Sequence, residues 1–190
     1  GPDGLIVIDT GDSIEEMRWA LAQVREHTAA PVVGVIYSHF HYVGGTRALL
    51  EAGASPTMPI WSHAGVVANR SRQAGEVGPV SRYGLVQQFG VLLPPEGPDA
   101  LVSAGIGPGF RIPDNAPFTE GFLPPTHTIE EATTISLAGL TIELTPAESD
   151  ADDSITIWFP ELSLCVNNLM WPALFNVFAI RGEEYRDSQI

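Results

Sequence analysis

Apolar positions in this chain fall into short runs separated by turn residues, with a helical stripe between the first two runs. Leu5-Ile-Val-Ile-Asp9 is unbroken and apolar, is preceded by Gly4 and leaves through Thr10-Gly11, which predicts a short buried strand. Asp12 and Ser13 then offer a helix cap, and Ser13 with Glu16 has capping-box spacing. Ile14, Met17, Leu21 and Val24 share one helical face, and the helix is expected to end near Thr28, ahead of Pro31. Val32 to Tyr37 is a second buried strand. Strand, helix, strand makes a βαβ unit, whose strands run parallel with a right-handed crossover.

After this unit the pattern loosens. Thr46 to Ala52 reads as a helix following a Gly44-Gly45 turn, and Ile60 to His63 as a short strand after Pro59. Gly65 to Gly90 is mostly helical, with a break near Gly78-Pro79. Leu92 to Pro125 is so rich in Gly and Pro that neither a regular helix nor a central strand fits. A loop of that length in a compact domain is expected to be a lid or a binding loop. No Gly-Lys-Ser/Thr follows its glycines, so it is not a phosphate loop.

Strand chemistry returns at Thr126. Thr133 to Leu137, the turn Ala138-Gly139 and Leu140 to Leu144 predict a hairpin. The acidic loop Glu148-Ser-Asp-Ala-Asp-Asp-Ser154 follows. Ile155 to Phe159 alternates as a strand, Pro160-Glu161 turns, and Leu162 to Val166 is another strand. The tail from Trp171 is mixed. There is no internal repeat.

A length of 190 residues with 44% hydrophobic composition suits one α/β domain with a sizeable core. No apolar run reaches the ~18 residues of a membrane span. The net charge of −14 argues against a nucleic-acid partner, since a phosphate backbone would be repelled. A lone cysteine, Cys165, excludes an intrachain disulfide and a cysteine-based zinc site, and its apolar run predicts a buried thiol. These features describe a soluble protein and leave its compartment open between cytoplasm, periplasm and exterior.

Candidate chemistry gathers at the end of the second strand, in Ser38-His-Phe-His-Tyr-Val-Gly-Gly45. Imidazoles at i and i+2 can converge on one metal ion if the backbone turns, and ligands cluster at strand ends in layered α/β folds. The bland alternative is one buried and one solvated histidine. The acidic loop could supply a carboxylate, although most of its acids are expected to be solvated, and its spacing is not that of an EF-hand. His63 and His127 sit at strand or loop edges and are weaker candidates. His27 lies at a helix C-terminus, which favours imidazolium without further purpose. Arg70, Arg72 and Arg82 stand close together in a chain with only 9 basic residues, either paired with carboxylates or forming an anion site.

Taken in order, Leu5 to Gly11, Ile36-Tyr-Ser-His-Phe-His41 and Gly44-Gly45 resemble the metallo-β-lactamase superfamily. Within it, the chain is similar to the alkylsulfatases that hydrolyse alkyl sulfate esters. Ile60-Trp-Ser-His-Ala-Gly65, the arginines before Tyr83-Gly84, Leu93-Pro94, Val102 to Gly107, the acidic loop before Trp158-Phe-Pro160, Leu164-Cys165, Ile180-Arg-Gly182 and Arg186-Asp187 extend the resemblance over nearly the whole chain.

The resemblance implies an αβ/βα sandwich, with residues 1–190 forming a single metallo-β-lactamase-like domain. It implies truncation at both ends, leading strands being absent before Leu5 and a helical dimerisation region absent after Asp187. Open sheet edges then lead us to expect a homo-oligomer. The family binds two zinc ions through a His-x-His-x-Asp-His motif, glutamates and a later histidine. Carried over, His39 and His41 match the first two histidines. The places of the next Asp and His hold Val43 and Gly44 or are deleted. Asp150 stands where the first glutamate would, and Asn168 near the second. His39, His41 and Asp150 therefore make one zinc site, with His63, His127 and Asn168 as possible additional ligands, while the second zinc site is lost. The expected activity is hydrolysis of a small-molecule ester, an alkyl sulfate above all, by metal-bound water, with Arg70, Arg72 and Arg82 as possible anion contacts. The alternatives are a catalytically inactive binding or assembly protein of the same fold and a hydrolase of lactones or other esters.

Overall fold

The computed structural model describes residues 1–78, 84, 86, 90, 92–94, 96–101, 118–149 and 151–167. The chain divides into two compact units, Gly1–Val67 with Thr119–Ile190, and Ala68–Phe118.

The first unit carries two four-stranded sheets. Strands β1 (Leu5–Ile8), β2 (Val32–Ile36), β3 (Ile60–His63) and β4 (His127–Ile129) lie side by side in that order, all parallel. Strands β5 (Thr133–Leu137), β6 (Leu140–Pro146), β7 (Ile155–Phe159) and β8 (Leu164–Val166) form an antiparallel meander. The β5–β6 turn has positive φ at both Ala138 (53°) and Gly139 (73°), the pair of left-handed residues a two-residue hairpin turn needs.

Helix α1 (Ile14–Arg25) starts where the capping residues predict. Ser13 Oγ accepts the Glu16 N–H at 3.2 Å, while the Glu16 carboxylate reaches back to the Asp12 N–H at 2.7 Å. Ile14, Met17 and Leu21 are buried, but Val24, in the last turn before the cap at Glu26, is exposed. A shorter helix, α2 (Arg47–Glu51), follows the histidine segment.

Two cores result. One joins α1 and α2 to a face of the parallel sheet through Ile14, Met17, Leu21, Val35, Leu49 and Ile60. The other lies between the sheets, where Ile36 and Ile129 meet Ile135, Ile142, Leu144, Ile155 and Ile157. Val35 and Ile36, adjacent in sequence, are both fully buried, one in each core.

Cys165 is exposed, contrary to the expectation of a buried thiol. It stands opposite Trp158 in the β7–β8 ladder and so shares the sheet face that points away from the inter-sheet core. Leu164 and Val166 take the inward parity instead. β4 joins the parallel sheet beside β3, although it lies next in sequence to the antiparallel hairpin.

In the second unit the chain continues from α3 (Val66–Arg72) into a π-helical turn, Gln73–Val77. Much of the stretch read as a lid, and the tail from Trp171, lie outside the described residues. Among the described residues no helix is long and apolar enough to cross a membrane.

Candidate functional site

Parallel strands all deliver their C-terminal ends to one side of a sheet, and β1 and β2 bring Asp9 and Ser38-His39 there together. Asp9 ends β1 at φ +56°, a left-handed conformation that costs an ordinary residue about 1–2 kcal/mol and is commonest in Asp and Asn among side-chain-bearing residues. That turn directs the carboxylate at the neighbouring strand end. Asp9 Oδ1 accepts the Ser38 N–H at 2.7 Å, and Oδ2 accepts the Ser38 O–H at 2.6 Å. Burial pushes the Asp9 carboxyl above the ordinary carboxylate range, opposed by those two hydrogen bonds and by the nearby His39.

Ser38 is a junction. Besides its bonds to Asp9, its Oγ lies 2.9 Å from His39 Nδ1, and its carbonyl accepts the N–H of Ile155 at the start of β7. One residue thus ties together the ends of β1 and β2 and the beginning of a strand in the other sheet. His39 is 2% exposed, with Nε2 also buried.

The histidine segment then turns under tight packing. Thr10 N–H bonds to the Tyr42 carbonyl, Gly44 N–H to the Gly11 carbonyl and Gly121 N–H to the Gly44 carbonyl. Gly44 and Gly45 are not needed for a left-handed turn. A Cβ on Gly44 would stand 2.1 Å from the Asp12 carbonyl oxygen, and one on Gly45 2.1 Å from that of Thr10. Close approach of backbones demands both glycines. Below them a buried hydroxyl network fixes the segment: Tyr37 donates to the Leu123 carbonyl at 2.9 Å and lies 2.6 Å from Thr46 Oγ1, which is 3.0 Å from Thr10 Oγ1. Residues 119–123, read in sequence as part of a long loop, are therefore anchored at the strand end.

His39 and His41 are brought together, with ring centres 5.0 Å apart and planes at 83°. Two imidazoles bound through nitrogen to one tetrahedral ion, at about 2.0–2.1 Å, have ring centres roughly 5 Å apart. The pair fits one ion on that measure. Positions 43 and 44 offer nothing to a second: Val43 is sealed in the core at 0% exposure, and Gly44 has no room for a side chain.

Among the described residues no group of three His, Cys, Asp or Glu is placed to hold a metal, so neither His63 nor His127 joins the pair. His63 Nδ1 accepts the Gly65 N–H at 3.0 Å. His127 stacks on Trp61 at 4.5 Å and takes a 2.8 Å hydrogen bond with Thr126 Oγ1. Asp150, Asn168 and Arg82 lie outside the described residues. Within the acidic loop, Glu148 and Asp152 are exposed while Asp153 is buried. Arg70 and Arg72 lie in the last turn of α3, and Arg72 is 3.8 Å from Glu76, an exposed pair of little energetic weight. A cavity of about 310 Å³ opens at the other end of β2, beside Pro31 and Val32. It holds no acid or histidine, and its Arg25 donates to the Thr28 and Ala30 carbonyls.

Asp9 and Ser38 are the residues that sequence reasoning passed over. Their signal was present: a carboxylate closing a buried strand, and a hydroxyl one place before the first histidine, on strands a βαβ unit makes neighbours.

No family model matches the chain. A linear primary-alkylsulfatase from Pseudomonas sp. (strain ATCC 19151) is 30% identical over 192 residues, covering 98% of this chain and 35% of the relative. The chain thus spans about a third of that relative's length. Among solved structures, the stereoselective inverting sec-alkylsulfatase from Pseudomonas sp. matches with a TM-score of 0.68 at 24% identity, over 85% of this chain and 26% of that one. A metallo-beta-lactamase family protein from Thermus thermophilus gives a TM-score of 0.55 at 16% identity, over 88% of this chain and 51% of that one.

Proposed function

We propose that the chain is an alkylsulfatase-like member of the metallo-β-lactamase superfamily and that it hydrolyses an ester of a small molecule, an alkyl sulfate, with the help of one metal ion. The observation that carries this reading is the His39–His41 pair at 5.0 Å beyond the end of a buried strand, with His39 held by a hydrogen bond to Ser38 Oγ. His39 and His41 would hold the ion, with Asp150 as the carboxylate that completes a three-ligand site. When bound, zinc lowers the pKa of its water toward ~7 and polarises the ester.

The chain's own residues do the rest. Ser38 and Asp9 hold His39 in place, while Phe40, whose ring centre lies 4.0 Å from that of His41, roots the segment in the buried core. Arg70, Arg72 and Arg82 are the candidates for the anionic group of the substrate, for which a planar guanidinium fork is suited. Residues 1–190 are read as one metallo-β-lactamase-like domain that self-associates. Sedimentation as a monomer at every concentration would count against that association.

Metal analysis of the purified chain, followed by activity on alkyl sulfates before and after His39→Ala, tests the function. We expect about one zinc per chain and at least a tenfold loss in the variant. No bound metal, and an activity indifferent to His39→Ala, would sink the reading. Val43 and Gly44 favour a second reading, a binding or assembly protein without catalysis, since a two-ion arrangement finds no donors there. Metal bound at His39 with no turnover of alkyl sulfates, lactones or phosphoesters would select it. Turnover of lactones alone would assign a different ester.

A further inference from the structure

The hydrogen-bond chain Asp9–Ser38–His39 has a direction. Ser38 owns one hydroxyl hydrogen and lies between two partners, Asp9 Oδ2 at 2.6 Å and His39 Nδ1 at 2.9 Å. The shorter contact falls in the range of an O–H bonded to an ionised carboxylate. Asp9 also takes the Ser38 N–H on its other oxygen, so both its oxygens accept from the same residue. With its hydrogen given to Asp9, the Ser38 oxygen can only accept from the ring. His39 must then carry its proton on Nδ1 and its lone pair on Nε2.

We propose that Asp9 and Ser38 are positioning residues that hold His39 as its Nδ1–H tautomer and so present Nε2 as a lone-pair donor toward a divalent cation. The cation half rests on the metal reading above; the tautomer half does not. Neither residue touches the ion or the substrate. Ile155 steadies the arrangement by bonding to the Ser38 carbonyl, which fixes the serine from the opposite sheet.

The test is nitrogen-15 NMR on the metal-free chain with labelled histidine, at about pH 8, above the ordinary imidazole range. The His39 signals are assigned by their loss in His39→Gln. We expect the proton on Nδ1. In Asp9→Asn, the carboxamide NH₂ placed at Oδ2 donates to Ser38, the serine hydrogen turns to the ring, and the proton moves to Nε2. Asn tolerates the left-handed backbone at position 9, so this variant reverses the chain of bonds without removing it. Zinc affinity, measured by competition with a chromophoric chelator, then falls about 10–100-fold, and falls likewise in Ser38→Ala. Ser38→Thr restores both readouts. A proton on Nε2 in the unaltered chain, or on Nδ1 in a folded Asp9→Asn, would overturn the proposal. An unaltered chain with the Nδ1 proton that takes up no zinc would overturn the metal reading and leave the positioning of His39 standing.

Discussion

Along β2, consecutive residues are sealed on opposite faces: Val35 beneath the helices, Ile36 between the sheets. Along β6, burial alternates, with Leu140, Ile142 and Leu144 inside and Thr141, Glu143 and Thr145 outside. A strand covered on both sides, as β2 is, has nowhere to place polar groups except at its ends. Asp9, Ser38 and His39 stand at such ends, side by side. The antiparallel sheet spends its polarity along one whole face and, among the described residues, reaches the candidate site through the N–H of Ile155.

The largest test of this contrast is truncation at paired positions. Val35→Ala and Ile36→Ala should each lose about 2–4 kcal/mol in urea denaturation, because both leave cavities in a core. Ile142→Ala should lose a similar amount, whereas Glu143→Ala should stay within about 0.5 kcal/mol. Equal losses at Ile142 and Glu143 would show that the outward face of the second sheet is covered, and the contrast would fail.

Next comes the crowding at the strand ends. Gly44→Ala should cost about 2–3 kcal/mol, since its Cβ would meet the Asp12 carbonyl. Gly53→Ala is the control. Its φ of +96° is also unfavourable, but nothing lies within 4 Å, so a smaller loss separates backbone strain from lack of space. A Gly44→Ala chain as stable as Gly53→Ala would remove the close-approach argument.

Smaller still is the helix start: Ser13→Ala should lower stability by about 1 kcal/mol through the lost cap to Glu16. The smallest effect is electrostatic. Hydrogen bonds from the Thr119 hydroxyl and N–H hold the Glu15 carboxyl below its ordinary range. A lowered folded pKa means stability that is present above the ordinary glutamate pKa and is lost as the pH falls through the folded value. Glu15→Gln should therefore lower the neutral region of a stability–pH profile slightly, flatten the acid limb by the same small amount, and leave stability below the folded pKa almost unchanged. A profile that keeps its slope would assign that limb to other carboxylates.

Much of the framework could be read from the chain itself, because burial on both faces and alternation leave different signatures. Leu5 to Ile8 and Val32 to Ile36 are unbroken and apolar; Thr133 to Leu144 alternates; Ser13 and Glu16 announce a helix. The histidine pair was visible as two candidate ligands one residue apart. What escaped depended on who neighbours whom. The sequence shows strand chemistry from Thr126 but no partner for β4, and only pairing places it beside β3. Cys165 sits in an apolar run, yet the register with Trp158 turns it outward. Gly44 and Gly45 look like a turn because sequence does not show the carbonyls of Thr10 and Asp12 pressed against them. Asp9 looks like the polar end of a strand until Ser38 is found 2.7 Å away.

The junction at Ser38 also sets an order of events. Its bonds to Asp9 span 29 residues, and its bond to Ile155 reaches almost the far end of the described chain. Contacts so distant in sequence close late in folding, since the entropy of bringing the ends together comes before any gain. His39 can be bonded through Ser38 to Asp9 as soon as the first βαβ unit forms, but the serine is clamped from both sheets only when β7 docks. During synthesis, a ribosome-bound chain that has not yet released Ile155 holds both histidines and lacks the clamp. An early intermediate would carry both histidines of the proposed metal site without its finished geometry.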